Sequence, residues 1–216
     1  MRIVMINPNT SAATTETMVT IARAVAPEAE IDGVTATFGA PLITNPASLA
    51  VAADAVVALA GVVSEREPDG VIVAAFGDPG LAPLRKRLSC PATGIAEAGM
   101  AEAARGGRRF AVVTTTHDLA PSIERSAVAY GHGDLFAGTS LTEGDPTQLM
   151  SVPGQLAAAM EAACRHAVEK LGVEAIVIGG GPLAQLAGVL RERLDTTIVD
   201  PIAAAVRLAI ARARGS

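Results

Sequence analysis

Aromatic residues, cysteines and long apolar runs are all scarce in this chain of 216 residues. Aromatic side chains make up only 2% of it, and tryptophan is absent. The net charge is −5 and the arginines are scattered, so the composition does not favour nucleic-acid binding. No apolar stretch reaches the roughly 18 residues of a membrane-spanning helix, and the apolar start is too short for a signal peptide. We therefore expect a cytoplasmic protein with no nucleic-acid partner and no membrane partner.

The two cysteines, Cys90 and Cys164, form neither a metal-binding pattern nor a disulfide framework. Cys164 lies at four-residue spacing from Met160 and Leu156 on a predicted helix, which is typical of a core position. No cluster of His, Asp and Glu has the spacing of metal ligands. We therefore expect no metal site.

Small and branched apolar residues are plentiful instead. Hydrophobic residues account for 50% of the chain and charged residues for 18%. Short apolar runs alternate with longer helical stretches throughout, which is the pattern of βαβ units. The predicted fold class is α/β, with parallel sheets flanked by alanine-rich helices. We expect residues 144–150 to form a loop.

The strand pattern occurs twice along the chain. Residues 2–7 (RIVMIN) align with residues 109–114 (RFAVVT), and residues 70–75 align with residues 175–180 at nearly the same offset. Near-equal offsets for both pairs indicate an internal duplication. The sequence therefore predicts two pseudo-symmetric, Rossmann-like lobes that face each other across a cleft.

The expected division of the chain between these lobes is discontinuous. Residues 1–92 plus 197–216 are assigned to the first α/β lobe, and residues 93–196 to the second, because we expect the last helix to pack back on the first lobe. Like strand ends of the two lobes then meet in the cleft, where open α/β sheets bind their ligands.

A polar segment, Asn7–Ser11 (NPNTS), follows the first predicted strand. Pro8 fixes a turn, and the next three residues offer amide and hydroxyl groups at a helix N-terminus. Free N–H groups there favour an anion or a carbonyl oxygen. Helix capping by Thr10 or Ser11 is the structural alternative. Because a cap needs only one such residue, we predict that Asn9, Thr10 and Ser11 bind substrate.

The equivalent segment of the second lobe is threonine-rich (TTTHD). The hydroxyl groups of Thr114, Thr115 and Thr116 are predicted to face the first segment across the cleft, although plain β-propensity explains three threonines equally well. His117 follows at the strand end, and imidazole is the commonest general base. We assign His117 a catalytic role, with a surface histidine at a helix start as the alternative.

Two glycine-rich strand ends complete the cleft: Ala75–Gly80 (AFGDPG) and Gly179–Pro182 (GGGP). Their main-chain N–H groups can form an anion nest that stabilises an oxyanion or an enolate. The predicted substrate contacts here are Ala75, Phe76, Gly77, Gly180, Gly181 and Pro182. Asp78 is the second candidate for proton transfer, if its carboxylate turns into the cleft. The alternative is that Asp78 binds N–H groups of its own turn.

The segments NPNTS, FGDPGL and IGGGPLA, with the threonine-rich strand end and Asp200–Ile202, resemble the aspartate/glutamate/hydantoin racemase superfamily, in particular the hydantoin and allantoin racemases. The resemblance spans essentially the whole chain. It implies cofactor-independent chemistry on a small amino-acid derivative or cyclic ureide, by a homo-oligomer with one cysteine base on each of two strand ends. The matching positions here are Ala75 and Gly180, and neither residue can accept a proton.

Three functions stay open. The first is a non-cysteine, racemase-like isomerase that acts through an enolate-like intermediate, with His117 or Asp78 moving the proton and the N–H groups of residues 75–77 and 180–181 holding the negative charge. The second is a binding protein for a small ligand, without turnover. The third is a hydrolase, or a C–N or C–C lyase, that activates water in the space that the thiols leave.

Overall fold

The computed structural model describes residues 1–215, and its centre consists of two four-stranded parallel sheets. The strands of the first sheet are β1 (Arg2–Asn7), β2 (Glu30–Thr35), β3 (Gly70–Val73) and β4 (Ala92–Gly94). Those of the second are β5 (Phe110–Thr114), β6 (Phe136–Leu141), β7 (Ala175–Ile178) and β8 (Thr197–Val199). The strand orders are β2-β1-β3-β4 and β6-β5-β7-β8. This identical order confirms the predicted repeat, with β1 equivalent to β5 and β3 equivalent to β7.

Helices connect the strands as βαβ units require. In the first half they are α1 (Ala12–Val25), α2 (Pro46–Ala58), α3 (Ala60–Ser64), α4 (Leu81–Arg85) and α5 (Ile95–Ala103). In the second half they are α6 (Ala120–Ala129), α7 (Pro146–Ser151), α8 (Pro153–Leu171), α9 (Ala187–Arg193) and α10 (Pro201–Arg214). Short 3-10 turns occur at Arg105–Gly107, His117–Leu119 and Pro182–Leu186. In the part of the chain that the structure describes, no helix combines the length and the apolar character needed to cross a bilayer.

Local side-chain contacts explain where the main helices begin. The Ser11 hydroxyl accepts a hydrogen bond from the Thr14 N–H at the start of α1. Asn45 and Ser48 form a reciprocal capping box at α2. The Asp200 carboxylate accepts from two N–H groups in the first turn of α10. Such caps satisfy N–H groups that the helix itself leaves unpaired.

Both faces of each sheet are buried, and the alternation of side chains assigns them to different cores. In β1, Ile3 and Met5 face a central core, whereas Val4 and Ile6 face an outer core formed with α2 and α4. The central core also contains the inner face of β5 and β7, together with buried residues of α1, α5, α6 and α10. The two lobes therefore share one apolar core, and each has a further core on its outer side.

The last helix packs back against elements of the first half of the chain. α10 packs against α1, α5 and β3. The boundary predicted at residue 197 is wrong, however, because β8 pairs with β7 in the second sheet. The boundary at residue 92 also differs, since β4 pairs with β3 through Gly94. In both lobes the fourth strand comes just before the chain crosses to the other lobe.

Residues 146–151 form helix α7 where we expected a loop. The Asp145 carboxylate accepts a hydrogen bond from the Gln148 N–H at 2.9 Å and so caps this helix. Pro146 at the first helical position suits a helix start, because its missing N–H would have been unpaired there. α7 then packs against α8.

Candidate active site

The strand ends predicted to meet do enclose one cavity, with a volume of about 60 Å³, between the two lobes. It lies at the carboxyl ends of β1, β3, β5 and β7. The predicted site residues that line it are Asn9, Ala75, Phe76, Gly77, Thr114, Thr115, Thr116, Gly180, Gly181 and Pro182. Residues 75 and 180, where the resemblance implies cysteines, therefore border the same space.

Thr10 and Ser11 lie outside this cavity. The Thr10 N–H donates to the Ala40 carbonyl oxygen at 3.1 Å. Ser11 caps α1, so the structural alternative describes it correctly. Only Asn9 of this polar segment lines the cavity.

Apolar side chains that the sequence analysis did not select form much of the wall. They are Leu42, Ile43, Leu49, Leu119, Ile123, Met150 and Leu183, and Ala74, Ser122 and Gly179 complete the lining. Leu42 and Ile43 lie in the segment between β2 and α2. Apolar residues in a stretch with no helical or strand periodicity were the one signal that could have found them.

A buried polar network fixes the orientation of Asn9. The fully buried Asn7 donates through Nδ2 to Asn9 Oδ1 at 2.8 Å and to Thr15 Oγ1 at 2.9 Å. The Ser11 N–H also donates to Asn9 Oδ1, at 2.9 Å. Since both contacts to this oxygen come from donors, the amide orientation is determined. Asn9 Nδ2 has no partner among residues 1–215, so it is available to donate to a carbonyl oxygen in the cavity.

Main-chain donors are also available at the cavity. The N–H groups of residues 75–77 and of Gly181 make no hydrogen bond to another described residue. The Gly180 N–H differs from our expectation, because it donates to the Ile178 carbonyl oxygen at 3.0 Å within its own turn. The hydroxyl group of Thr115 has no partner in the described chain either. The cavity thus offers hydrogen-bond donors from both lobes.

Ionisable side chains do not line the cavity, as far as the described residues go. Both cysteines lie elsewhere: Cys90 is half-buried near the end of the first sheet, and Cys164 is in the outer core of the second. Burial raises the pKa of the Cys164 thiol to about 12. Among residues 1–215 there is also no group of three or more His, Cys, Asp and Glu side chains that could hold a metal ion.

His117, predicted to move a proton, lies outside the cavity. It is exposed, at the start of the 3-10 turn that precedes α6. Its Nε2 is 2.8 Å from the Thr142 carbonyl oxygen. A carbonyl oxygen only accepts, so Nε2 carries the proton of this hydrogen bond. The imidazole ring therefore donates to another segment of the second lobe and does not line the cavity.

Asp78, the other candidate, is buried and also lies outside the cavity. Oδ1 accepts from the Ala96 N–H at 2.9 Å, and Oδ2 accepts from the Glu97 N–H at 2.8 Å. Oδ2 also accepts from the Tyr130 hydroxyl at 2.7 Å. These N–H groups belong to the start of α5 and not to the turn of Asp78 itself. The carboxylate is fully occupied with structural donors.

Burial raises the pKa of Asp78 to about 6, although the hydrogen bonds from Tyr130, Ala96 and Glu97 oppose this shift and the nearby Glu97 charge adds to it. The folded state therefore binds the Asp78 proton more tightly than the unfolded state does. The stabilisation associated with this proton is complete below the unfolded pKa near 4 and is lost as the pH rises through 6.

We predict that the free energy of unfolding of the wild type, minus that of Asp78→Asn, increases by about 2 kcal/mol as the pH falls from 7 to 4, because the shift is about two pKa units and pH 4 lies close to the unfolded pKa. Urea unfolding of both proteins across this range measures the difference, in which the titrating groups that do not interact with Asp78 cancel. A difference that does not change with pH would show that Asp78 titrates normally.

Known proteins match almost the whole chain. The family described as Asp/Glu/Hydantoin racemase matches residues 3–209. The hydantoin racemase of Paenarthrobacter aurescens is 28% identical over 214 residues, which cover 97% of this chain and 89% of that protein. The solved structure of an allantoin racemase from Klebsiella pneumoniae has a TM-score of 0.91 at 34% identity, covering 98% of this chain and 86% of that one.

A second allantoin racemase structure, from Pseudomonas fluorescens, has a TM-score of 0.90 at 31% identity and covers 99% of this chain and 91% of that one. This chain belongs to the Asp/Glu/hydantoin racemase family.

Proposed function

We propose that this chain is a racemase-like isomerase of a small, uncharged cyclic ureide, in which solvent water replaces the thiol bases. The observation that carries the proposal is a cavity lined by unpaired donors from both lobes and, among the described residues, by no ionisable side chain. We also propose that the protein is a cytoplasmic homo-oligomer that needs no cofactor, and this part of the proposal rests on the family resemblance alone.

The relatives and the cavity wall support this substrate class. The hydantoin and allantoin racemases that resemble this chain are named for cyclic ureides. Ring carbonyl oxygens of such a molecule can accept from Asn9 Nδ2, from the Thr115 hydroxyl and from the N–H groups at 75–77. An aspartate or glutamate would instead bring charges into a cavity without a charged partner, which is unfavourable.

Stabilisation of an enolate accounts for catalysis without a side-chain base. The reacting carbon loses its proton to hydroxide, which becomes water, and the electron pair of the C–H bond moves onto the neighbouring carbonyl oxygen. Water on the opposite face then returns a proton to the carbon and regenerates hydroxide. Each fixed donor to the developing oxyanion increases the rate about 10²- to 10³-fold. The positions of His117 and Asp78 favour water over either side chain as the proton carrier.

Ligand binding without turnover is the second candidate. It is favoured by the same lack of ionisable groups in the described lining. General acid–base catalysis by a side chain normally increases a rate about 10²- to 10⁴-fold, and this lining offers no such side chain. The two candidates differ only in whether the bound ligand exchanges its proton with solvent.

A single enantiomer of a 5-alkyl hydantoin, incubated with the protein in D₂O, should exchange its C5 proton and lose optical activity faster than the protein-free control. The value of kcat/KM should rise about tenfold per pH unit between pH 7 and 8.5, because hydroxide is the base and no ionisable side chain lines the described cavity. NMR and polarimetry measure the two events.

Each other outcome identifies a different function. A plateau in the pH profile would reveal a side-chain base and overturn the water mechanism. Saturable binding without exchange would support the non-catalytic candidate, and ring opening would show a hydrolase. L-aspartate and L-glutamate serve as charged control substrates, and their racemisation would contradict the proposed substrate class.

Asn9→Asp tests the side-chain donor at the cavity. This change keeps the oxygen that accepts from Asn7 and Ser11 and replaces the free Nδ2 with a second oxygen. We expect the affinity for the hydantoin to fall about 10- to 100-fold, measured by calorimetry, because a donor to the ring carbonyl is lost. Asn45→Asp is the matched control, since it caps α2 outside the cavity and Asp caps equally well. Equal affinities for both variants would remove Asn9 from the site.

Ala75→Cys tests the space beside the first strand end. A thiol there should raise the exchange rate about 10²-fold at pH 8 and give the pH profile a plateau above about 8.5, where the thiol ionises. Ala82→Cys, on the exposed side of α4, is the control with a thiol far from the ligand. No gain in a folded Ala75→Cys protein would show that the reacting carbon does not lie against residue 75.

A further inference from the structure

We propose that Asp78 and Tyr130 are positioning residues, whose hydrogen bond ties the turn at residues 75–80 to the second lobe and so holds the N–H groups of Phe76 and Gly77 at the cavity. Asp78 lies in the first lobe, between β3 and α4. Tyr130 follows α6 in the second lobe, and its hydroxyl donates to Asp78 Oδ2 at 2.7 Å. One buried carboxylate therefore joins the two lobes beside the cavity.

The backbone of this turn needs an external restraint. Gly77, Asp78 and Gly80 all have positive φ, at 98°, 49° and 73°. A left-handed backbone is ordinary for glycine and unfavourable for aspartate, and such residues persist where their surroundings hold them. The three donors to the Asp78 carboxylate supply that restraint.

The surroundings are shaped to receive the carboxylate. Gly94, the last residue of β4, has no side chain, and a Cβ built there would overlap the Asp78 carboxyl group. α5 begins immediately afterwards, so its first N–H groups point at the carboxylate. A helix cap alone would require only these N–H groups. The Tyr130 hydroxyl is an additional donor from a different element, the end of α6, so two elements that pack against the second sheet hold Asp78.

The charged groups around Asp78 favour this arrangement. Glu97 on α5 is paired with Arg85 on α4 at 2.7 Å and with Arg212 on α10 at 2.8 Å. Burial would raise the pKa of Glu97, but these two arginines lower it, so Glu97 stays ionised and paired. Burial and the charge of Asp78 raise the pKa of Tyr130 far above its usual value, which keeps its hydroxyl protonated as a donor.

The consequence for the cavity follows from the short distance along the chain. Phe76 and Gly77 immediately precede Asp78, and both line the cavity with N–H groups that have no partner in the described chain. A shift of the anchored carboxylate moves these donors with it. Misplacement of a reacting or stabilising group by about 1 Å can cost about 10²-fold in rate.

Tyr130→Phe tests the link, because it removes one hydroxyl and keeps the ring. In the free protein, we expect exchange of the Asp78 amide, the one amide of residues 75–80 that donates within the described chain (to the Ala75 carbonyl oxygen at 3.0 Å), to accelerate about tenfold, measured by mass spectrometry, while β5 and β7 stay protected. Ser140→Ala is the matched control: it removes a buried hydroxyl that donates to the Ala163 carbonyl oxygen at 2.8 Å, remote from the turn. We expect it to leave exchange in residues 75–80 unchanged.

The affinity for the hydantoin should also fall about tenfold in Tyr130→Phe and stay unchanged in Ser140→Ala. This second measurement rests on the proposed function, whereas hydrogen exchange needs no ligand, so a failure of the proposed function is distinguishable from a failure of the proposed link.

Gly94→Ala is a second test of the link, since it displaces the Asp78 carboxylate and leaves Tyr130 in place. We expect the same local acceleration of exchange. Unchanged exchange at residues 75–80 in both variants, or acceleration spread evenly over the protein, would overturn the proposal.

Discussion

Contact between Gly181 and the first lobe determines how closely the two halves of the molecule approach. A side chain at this position would overlap the buried Met18, and its Cβ would lie 3.0 Å from the Ala74 carbonyl oxygen. Ala74 and Gly181 belong to equivalent strand ends, so their approach brings two sets of main-chain donors to one small space. A bulkier residue at 181 would separate the lobes, and a ligand would then meet donors from only one side.

The general architecture could be predicted because the strands β3 and β7 are short, apolar runs that are followed by glycine within four residues, a pattern typical of buried parallel strands. The sheet to which Thr197–Val199 belongs could not be predicted, because three residues carry no information about their pairing partner. Helix α7 was missed for a related reason: six residues have no amphipathic period, and a cap at Asp145 together with contacts to α8 stabilises the helix.

The sequence predicted which main-chain segments meet at the candidate site better than it predicted the directions of their side chains. Strand ends in parallel sheets meet at one edge, so the positions of residues 75–77, 114–116 and 180–182 followed from topology. The direction of a side chain depends on partners distant in sequence. Asp78 turns towards α5 and Tyr130, and His117 towards Thr142, so neither faces the cavity. The apolar wall was missed because its residues come from segments without regular periodicity.

The return of α10 to α1 has a consequence for biosynthesis. Residues 12–25 and residues 201–214 pack together although almost the entire chain separates them, and Ile202, Ala205 and Val206 are fully buried. A polypeptide emerging from the ribosome therefore carries an incomplete amino-terminal half, with apolar surface uncovered, until residues 201–214 have been translated. Closing so long a loop is entropically expensive and slow. Chaperones can bind this exposed apolar surface during the whole interval, and a chain that ends near residue 200 lacks the helix that covers it.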